Sequence, residues 1–224
     1  MKNSDKLKRY SMFIAGVIFS ALGISLITKA GLGTSPITSL AFVLTFIFPH
    51  SLGEFTMLVN TVMFLIQAAL LGRAFGKVQL LQLPAALLFS ACIDGWMYIL
   101  GFWKTGSYVG QVLMLLLGCV FLGLGIAFEV IPNVLILPGE GLVRVIAGLT
   151  GWRFGLVKTG FDMSIVASAV GVSLFFTGHV LGIREGTVLA ALIVGSISHF
   201  FIEKVSNVLE GWIPDYSDAG DAYP

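Results

Sequence analysis

Three titratable side chains lie inside long runs of apolar residues, where a charge is costly to bury. Asp94 and Asp162 are carboxylates that accept hydrogen bonds or carry a proton, and His199 can do either near neutral pH. Polar groups inside a membrane helix are expected to face one another or a wet cavity. These residues predict a shared site for a small solute. The simpler alternative is local bonding, such as Asp94 to Ser90, or a satisfied interhelical His199.

A glycine-rich segment interrupts the apolar pattern near residue 31. Gly31 and Gly33 permit backbone conformations that are closed to other residues, and Pro36 suits the first position of a helix. Pro49 limits the far end, so we expect a short helix from Pro36 to near Phe48.

Hydroxyl groups cluster at the start of this short helix. They belong to Thr34, Ser35, Thr38 and Ser39, of which Thr34 or Ser35 suits the N-cap. The first N–H groups of a helix are unpaired and carry positive partial charge. The segment therefore predicts a polar pocket for an anionic or hydrogen-bonding group, with a structural loop and cap as the alternative.

A second segment, Leu137 to Arg144, repeats this punctuation with charges in place of the hydroxyls. Gly139 and Gly141 again interrupt the pattern, and Glu140 and Arg144 are four residues apart, so they share one helix face and can pair. If this helix is half-buried, such a pair is too costly to be incidental, and we count both residues as candidate solute contacts.

Four further charges predict two ion pairs that staple the short segments. Lys29 and Glu54 bracket the first segment, and Glu129 and Lys158 bracket the second with the signs exchanged. We expect these pairs to be structural or gating. The chain shows no catalytic motif, no metal-ligand spacing and no cofactor motif, so we expect neither an enzyme nor a bound cofactor.

The composition explains why these few polar residues stand out. Of 224 residues, 57% are hydrophobic and 11% are charged, against about 25% charged in a soluble domain. The mean hydropathy is +0.96 and the net charge is +1. These values exclude a disordered chain, a nucleic-acid binder and a secreted disulfide scaffold. They indicate an all-α, polytopic membrane protein.

Six apolar stretches are long enough to cross a bilayer, which takes about 20 residues. They are Tyr10–Thr28, Phe55–Leu71, Leu80–Trp103, Val109–Phe128, Leu156–Thr177 and Thr187–Val208. Two runs, Ile37–Phe48 and Leu142–Leu149, are too short and are expected to be re-entrant or interfacial.

The distribution of basic residues orients these six spans. With the amino terminus in the cytoplasm, ten lysines and arginines fall inside and three outside, namely Lys29, Lys104 and Arg184. Both termini are therefore expected to be cytoplasmic. We divide the chain into a basic segment 1–9, a three-span repeat 10–103, a second repeat 104–208 and an acidic tail 209–224.

The division into two repeats depends on matching residues. Gly16–Ile24 shares five of nine residues with Gly118–Ile126, and further glycine and alanine matches follow in the same order. This alignment puts Asn60 at the place of Asp162 and Asp94 at that of His199. Three spans per repeat make the second repeat inverted, a device of secondary transporters that place their site between the repeats.

The segment Gly31-Leu-Gly-Thr-Ser-Pro-Ile-Thr-Ser39 resembles the YczE/YyaS/YitT family of bacterial integral membrane proteins. Leu52-Gly-Glu-Phe-Thr56 and the stretch from Leu80 to Asp94 are similar to the same group, and the resemblance covers residues 10–207. It implies a bacterial cell membrane protein. YczE-type members more usually have Pro-Trp-Asp after the glycines, so no role for an acidic residue there carries over to Thr34-Ser-Pro36.

Three functions remain open at this point. The first is a secondary transporter of a small solute, with an anion and proton coupling as candidates. The second is a membrane-embedded binding module that serves an energising complex. The third is an assembly or regulatory protein of the membrane. Expected partners are the lipid bilayer, a small solute and either a second copy of the chain or an energising complex, but no nucleic acid.

Overall fold

A computed structural model of the chain describes residues 3–103 and 106–209. These residues form α-helices joined by short connections, some of them 3-10 turns. The helices are α1 Asn3–Lys29, α2 Ser39–Ile47, α3 Leu52–Leu71, α4 Gln82–Ile99, α5 Tyr108–Val130, α6 Pro138–Thr150, α7 Phe154–Thr177 and α8 Glu185–Leu209. Residues 210–224 of the predicted acidic tail 209–224, and Lys104, lie outside the described residues.

The prediction of six spans is confirmed. Helices α1, α3, α4, α5, α7 and α8 are long and apolar enough to cross a membrane, alone or with an adjoining 3-10 turn. Five of the six predicted spans fall inside these helices, because a hydropathy count omits polar terminal residues, whereas Leu80–Trp103 extends beyond both ends of α4. Residues 3–9 of the predicted basic segment likewise belong to α1, which begins at Asn3.

Helices α1 and α5 form the central pair of the bundle. They run antiparallel, because Gly16 lies against Glu129 while Gly23 lies against Leu122. A Cβ on Gly23 would overlap the backbone of Leu122, and one on Gly125 would overlap Ser20. These contacts need glycine, which lets two backbones approach closely in a membrane helix pair.

The remaining helices are arranged around this pair. Helix α4 packs on α1, α8 packs on α5, and α3 packs on α4. The two short helices bridge between halves of the chain. Helix α2 packs on α3 and α7, and α6 also packs on α3 and α7.

The first short helix agrees with its prediction and the second is longer than predicted. A 3-10 turn begins at Pro36 and continues into α2, which ends at Ile47. Helix α6 begins at Pro138, four residues before the predicted Leu142. The apolar run excluded Pro-Gly-Glu-Gly, although proline is favoured at the first helical position.

The starts of the two short helices meet inside the bundle. The Ile37 side chain would lie 2.7 Å from a Cβ on Gly139, and Met63 would lie 3.4 Å from it. Met63 is near the middle of α3. Helix α6 therefore begins at mid-depth. We call the side of the bundle where α1 begins the amino-terminal side and the opposite one the far side. Helix α7, which follows α6, starts on the amino-terminal side.

Candidate functional site

The hydroxyls predicted to line a pocket instead bond to one another. Thr34 Oγ1 lies 2.8 Å from Thr28 Oγ1 and 3.1 Å from Thr38 Oγ1, and Ser35 Oγ lies 2.8 Å from Thr38 Oγ1. Ser39 donates to the Pro36 carbonyl at 2.6 Å. All are buried. In this conformation the cluster is closed, so it does not present free hydroxyls to a solute.

The glycine-rich segment is fastened to the start of α8. Gly33 has φ +126°, and a Cβ there would collide with Thr187, whose hydroxyl accepts from the Thr34 N–H at 3.1 Å. The Gly186 N–H donates to the Leu32 carbonyl at 2.8 Å, and Arg184 donates to the Gly31 carbonyl at 3.0 Å. The role of these glycines is therefore to join α1 to α8 on the far side.

Asp94 caps a helix. Its carboxylate accepts from the Ser51 hydroxyl at 2.6 Å and from the Gly53 N–H at 2.7 Å, at the start of α3. Ser51 and Glu54 form a capping box at the same helix end. An acidic group is favoured there because it satisfies free N–H groups and the positive helix end. The Asp94 carboxylate, which was predicted to contact a solute, is therefore already bonded to the start of α3. It forms no hydrogen bond with Ser90, the alternative partner.

The other members of the predicted central site lie apart. Asn60 is buried and donates to the Thr56 carbonyl at 2.9 Å within α3. Asp162 is half-buried and pairs with Lys158 at 2.8 Å on α7. His199 is exposed on α8. Within the described ranges no hydrogen bond or ion pair joins these groups to Asp94, so the structure does not gather them into one site.

The two predicted staples are wrong. Glu54 pairs with His50 at 3.0 Å, and Lys158 with Asp162, so neither Lys29–Glu54 nor Glu129–Lys158 forms among the described residues. Glu54 is four residues after His50, and Asp162 is four residues after Lys158, so each carboxylate has a basic side chain close to it along the chain. A partner one helical turn away is reached without ordering a distant segment, so the local pair forms.

Glu129 lies near the end of α5, against the middle of α1. It is 5% exposed, and its Oε1 accepts a 2.6 Å hydrogen bond from Ser20. Gly16 leaves room for its side chain, since a Cβ there would lie 2.9 Å from the Glu129 Cγ. No second hydrogen bond to the Glu129 carboxylate occurs within residues 3–103 and 106–209.

A small cavity separates the end of α5 from the start of α6. Its volume is about 10 Å³, close to the least that holds one water molecule. It is lined by Glu129, Val130, Asn133, Leu135, Ile136, Glu140 and Arg144. The prediction that Glu140 and Arg144 share one helix face is consistent with this wall. They do not form an ion pair with each other, and both are half-buried.

The sequence analysis did not identify two buried glutamines that lie against α6. Gln67 of α3 and Gln82 of α4 are 2% and 4% exposed, and their Oε1 atoms have no hydrogen-bond partner among the described residues. Both side chains lie against Gly141, where a Cβ would be 2.8 Å from Gln67 Oε1. The signal that could have identified them is the presence of amide side chains in apolar stretches of the sequence.

Comparison with known proteins agrees with the membrane fold. The chain is 28% identical over 202 residues to "Uncharacterized membrane protein YczE" of Bacillus subtilis (strain 168), across 90% of this chain and 88% of that protein. It is 27% identical over 201 residues to "Uncharacterized protein YyaS" of the same organism, across 88% and 94%. No solved structure matches.

These two relatives confirm the resemblance to YczE and YyaS that the glycine-rich segment predicted. A family model also matches residues 7–203, which is most of the chain. The protein therefore belongs to DUF6198, a family of unknown function.

Proposed function

We propose that this protein is a secondary transporter of a small solute in a bacterial cell membrane, with both termini in the cytoplasm. The observation that carries the proposal is the pair of short helices that begin inside the bundle and meet at Ile37 and Gly139. Helices that end at membrane depth are a recurrent feature of transporter binding sites, because their free N–H groups can face a solute.

The packing supports two interlocked, inverted repeats. Helix α2 of the first half packs on α7 of the second, and α6 of the second half packs on α3 of the first. Likewise α4 packs on α1 as α8 packs on α5. These pairs exchange under the repeat alignment. One half can therefore rock against the other about the central pair α1 and α5, which is how such repeats give alternating access.

We place the solute site at the cavity beside the start of α6. Its charged lining consists of two carboxylates, Glu129 and Glu140, and one guanidinium, Arg144. When all three are ionised, this lining favours a solute with an ammonium or similar cationic group, and Arg144 can bind a carboxylate on the same solute. The anion expected at the first short helix is less favoured, because those hydroxyls bond to one another.

The cavity holds only about one water molecule, so a solute requires an opening movement. Helix α6 is the element that can supply it. It is short, its carboxyl end is exposed after Thr150, and it is capped by Gly151 in a left-handed conformation. A shift of α6 away from α5 would widen the cavity towards the amino-terminal side.

A binding screen on the purified protein tests this function. Amino acids, amines, vitamin precursors and small anions would be compared by the thermal shift that each produces. A ligand that binds only the folded state stabilises it by about 2.7 kcal/mol at one hundred times its Kd. We expect hits among cationic or zwitterionic solutes, abolished by Arg144→Gln or Glu140→Gln and retained in the matched control Glu203→Gln, an exposed residue of α8.

Hits would then be tested for flux in proteoliposomes under an imposed proton or sodium gradient. Flux that follows a gradient and is lost in Glu140→Gln supports transport. Binding without flux, together with stable co-purification of an ATPase pair, would instead support a binding module of an energising complex. The absence of both binding and flux across the whole panel would contradict the proposal and favour an assembly role.

A further inference from the structure

Glu129 is an acidic group at membrane depth that forms no ion pair within the described part of the chain. It lies in α5, one of the six spans, and is 5% exposed. Its hydrogen bond comes from Ser20, a neutral hydroxyl. None of the ion pairs among the described residues includes it. A buried carboxylate in this position is strongly disfavoured while it is ionised, and it is accommodated by taking up a proton or another cation.

The elements around Glu129 supply few compensating charges. Helix α1 contributes Gly16 and Ser20, and its Arg9 donates to the Pro132 carbonyl at 3.1 Å. Helix α6 contributes Glu140 and Arg144 across the cavity. Arg144 is the single base on this wall, and it faces two carboxylates.

Helix α8 packs on the other side of α5 and leaves this balance unchanged. Apolar side chains of α8 cover the end of α5 around Ala127 and Ile131; they are Phe201, Ile202 and Val205. Its titratable residues point elsewhere, since Glu185, at the distant start of the helix, and His199, Glu203 and Lys204 are all exposed.

A short route connects Glu129 with the surface. Glu129 lines the cavity, which has room for about one water molecule. Glu140 and Arg144 form the opposite wall and are half-buried, and Asn133 in the α5–α6 connection is exposed. A single water molecule in this cavity would link Glu129 to these partly exposed residues on the amino-terminal side.

We propose that Glu129 is a proton-binding site of this protein. The carboxylate and a hydronium ion give the neutral acid and water, and the reverse step returns the proton to cavity water. Protonation removes one negative charge from the cavity and leaves Glu140 opposed to Arg144. A proton and a cationic solute then compete for the same cavity, so their movements are exchanged. That last step rests on the proposed function, whereas the proton site does not.

Infrared difference spectroscopy of the protein in lipid nanodiscs, titrated with acid, tests the proton site without any solute. A protonated carboxyl group has a C=O stretching band separate from the amide bands. We expect one such band from a dehydrated acid that disappears as the pH rises, and we expect Glu129→Gln to lack it. The matched control Glu140→Gln, on the half-buried side of the cavity, should keep it.

Ser20→Ala provides a second readout, because it leaves the carboxyl group in place and removes its hydroxyl donor. The band should shift in frequency and stay present. This result remains informative if Glu129→Gln does not fold. An unchanged acid band in Glu129→Gln would overturn the proposal, as would carboxylate bands that respond to Na⁺ at constant pH and not to pH itself.

The two proposals fail in different ways. A titrating Glu129 band together with an absence of solute flux would contradict transport and leave the proton site standing. Solute flux that is independent of the proton gradient, in a protein without a Glu129 acid band, would contradict the proton site and leave transport standing.

Discussion

At the scale of single residues, polar groups in this protein bond to the nearest partner that completes a helix end or turn. Asp94 caps α3, and Lys158 takes Asp162 one turn away. Glu129 differs, since its hydrogen bond is to Ser20 of another helix and it faces a cavity. The residues most available for chemistry are therefore those at the start of α6 and the end of α5.

Replacing Asp94 by Asn should destabilise the fold without changing solute binding. The carboxylate accepts two hydrogen bonds at the start of α3, and losing charge-assisted bonds there costs about 1–3 kcal/mol. The matched control is Asp162→Asn, which breaks a local pair worth about 0.5 kcal/mol or less. Thermal unfolding in detergent measures both. Equal stability of the two variants would contradict the capping role.

At the scale of helices, close approach of α1 and α5 requires glycine at the contact. Gly125 of α5 faces Ser20, and Gly23 of α1 faces Leu122. Glycine lowers helix propensity by about 1 kcal/mol relative to alanine, so its presence here must be compensated by packing.

Gly125→Ala should therefore destabilise the bundle although alanine is the better helix former. The new Cβ would overlap the Ser20 backbone and force the two helices apart, at a cost of about 1–3 kcal/mol. Gly171→Ala in α7 is the control, because a Cβ there meets no atom within 4 Å and should leave stability equal or higher. If both variants behave alike in thermal unfolding, the α1–α5 contact is not as close as described.

At the scale of the whole molecule, each short helix packs against long helices of both halves of the chain. The contact of Ile37 with Gly139 joins their starts, and Gln67 and Gln82 lie against Gly141, two residues further along α6. Opening the cavity at Glu140 therefore means moving α6 relative to both α3 and α5.

A thiol cross-link between Ile37→Cys and Gly139→Cys should form readily, in a background with Cys92 and Cys119 replaced by serine. The Ile37 side chain reaches within 2.7 Å of a Cβ on Gly139, so a short bifunctional thiol reagent spans the gap. The control pairs Ile37→Cys with Gly148→Cys, which lies about 13 Å further along α6 by helix rise. Gel mobility measures the product, and equal yields from both pairs would contradict the meeting of the short helices.

The sequence alone predicted the six spans, the short helix at Pro36 and the resemblance to YczE and YyaS. These depend on local properties: the length of an apolar run, the fixed φ of proline and the freedom of glycine. The start of α6 was placed late because a hydropathy count does not register the Pro-Gly-Glu-Gly that begins it.

The tertiary structure decided which polar residues are free to act. Four polar residues were predicted to form a site because their types suit one; they are Asp94, Thr34, Ser35 and Thr38. In the structure each of them is hydrogen-bonded to a neighbouring group. Glu129 read as half of an ion pair and instead lies on a cavity. A hydrogen bond depends on distances set by helix packing, which spacing along a chain does not specify. Residue type therefore determined what each group could do, and only packing determined whether it was left free to do it.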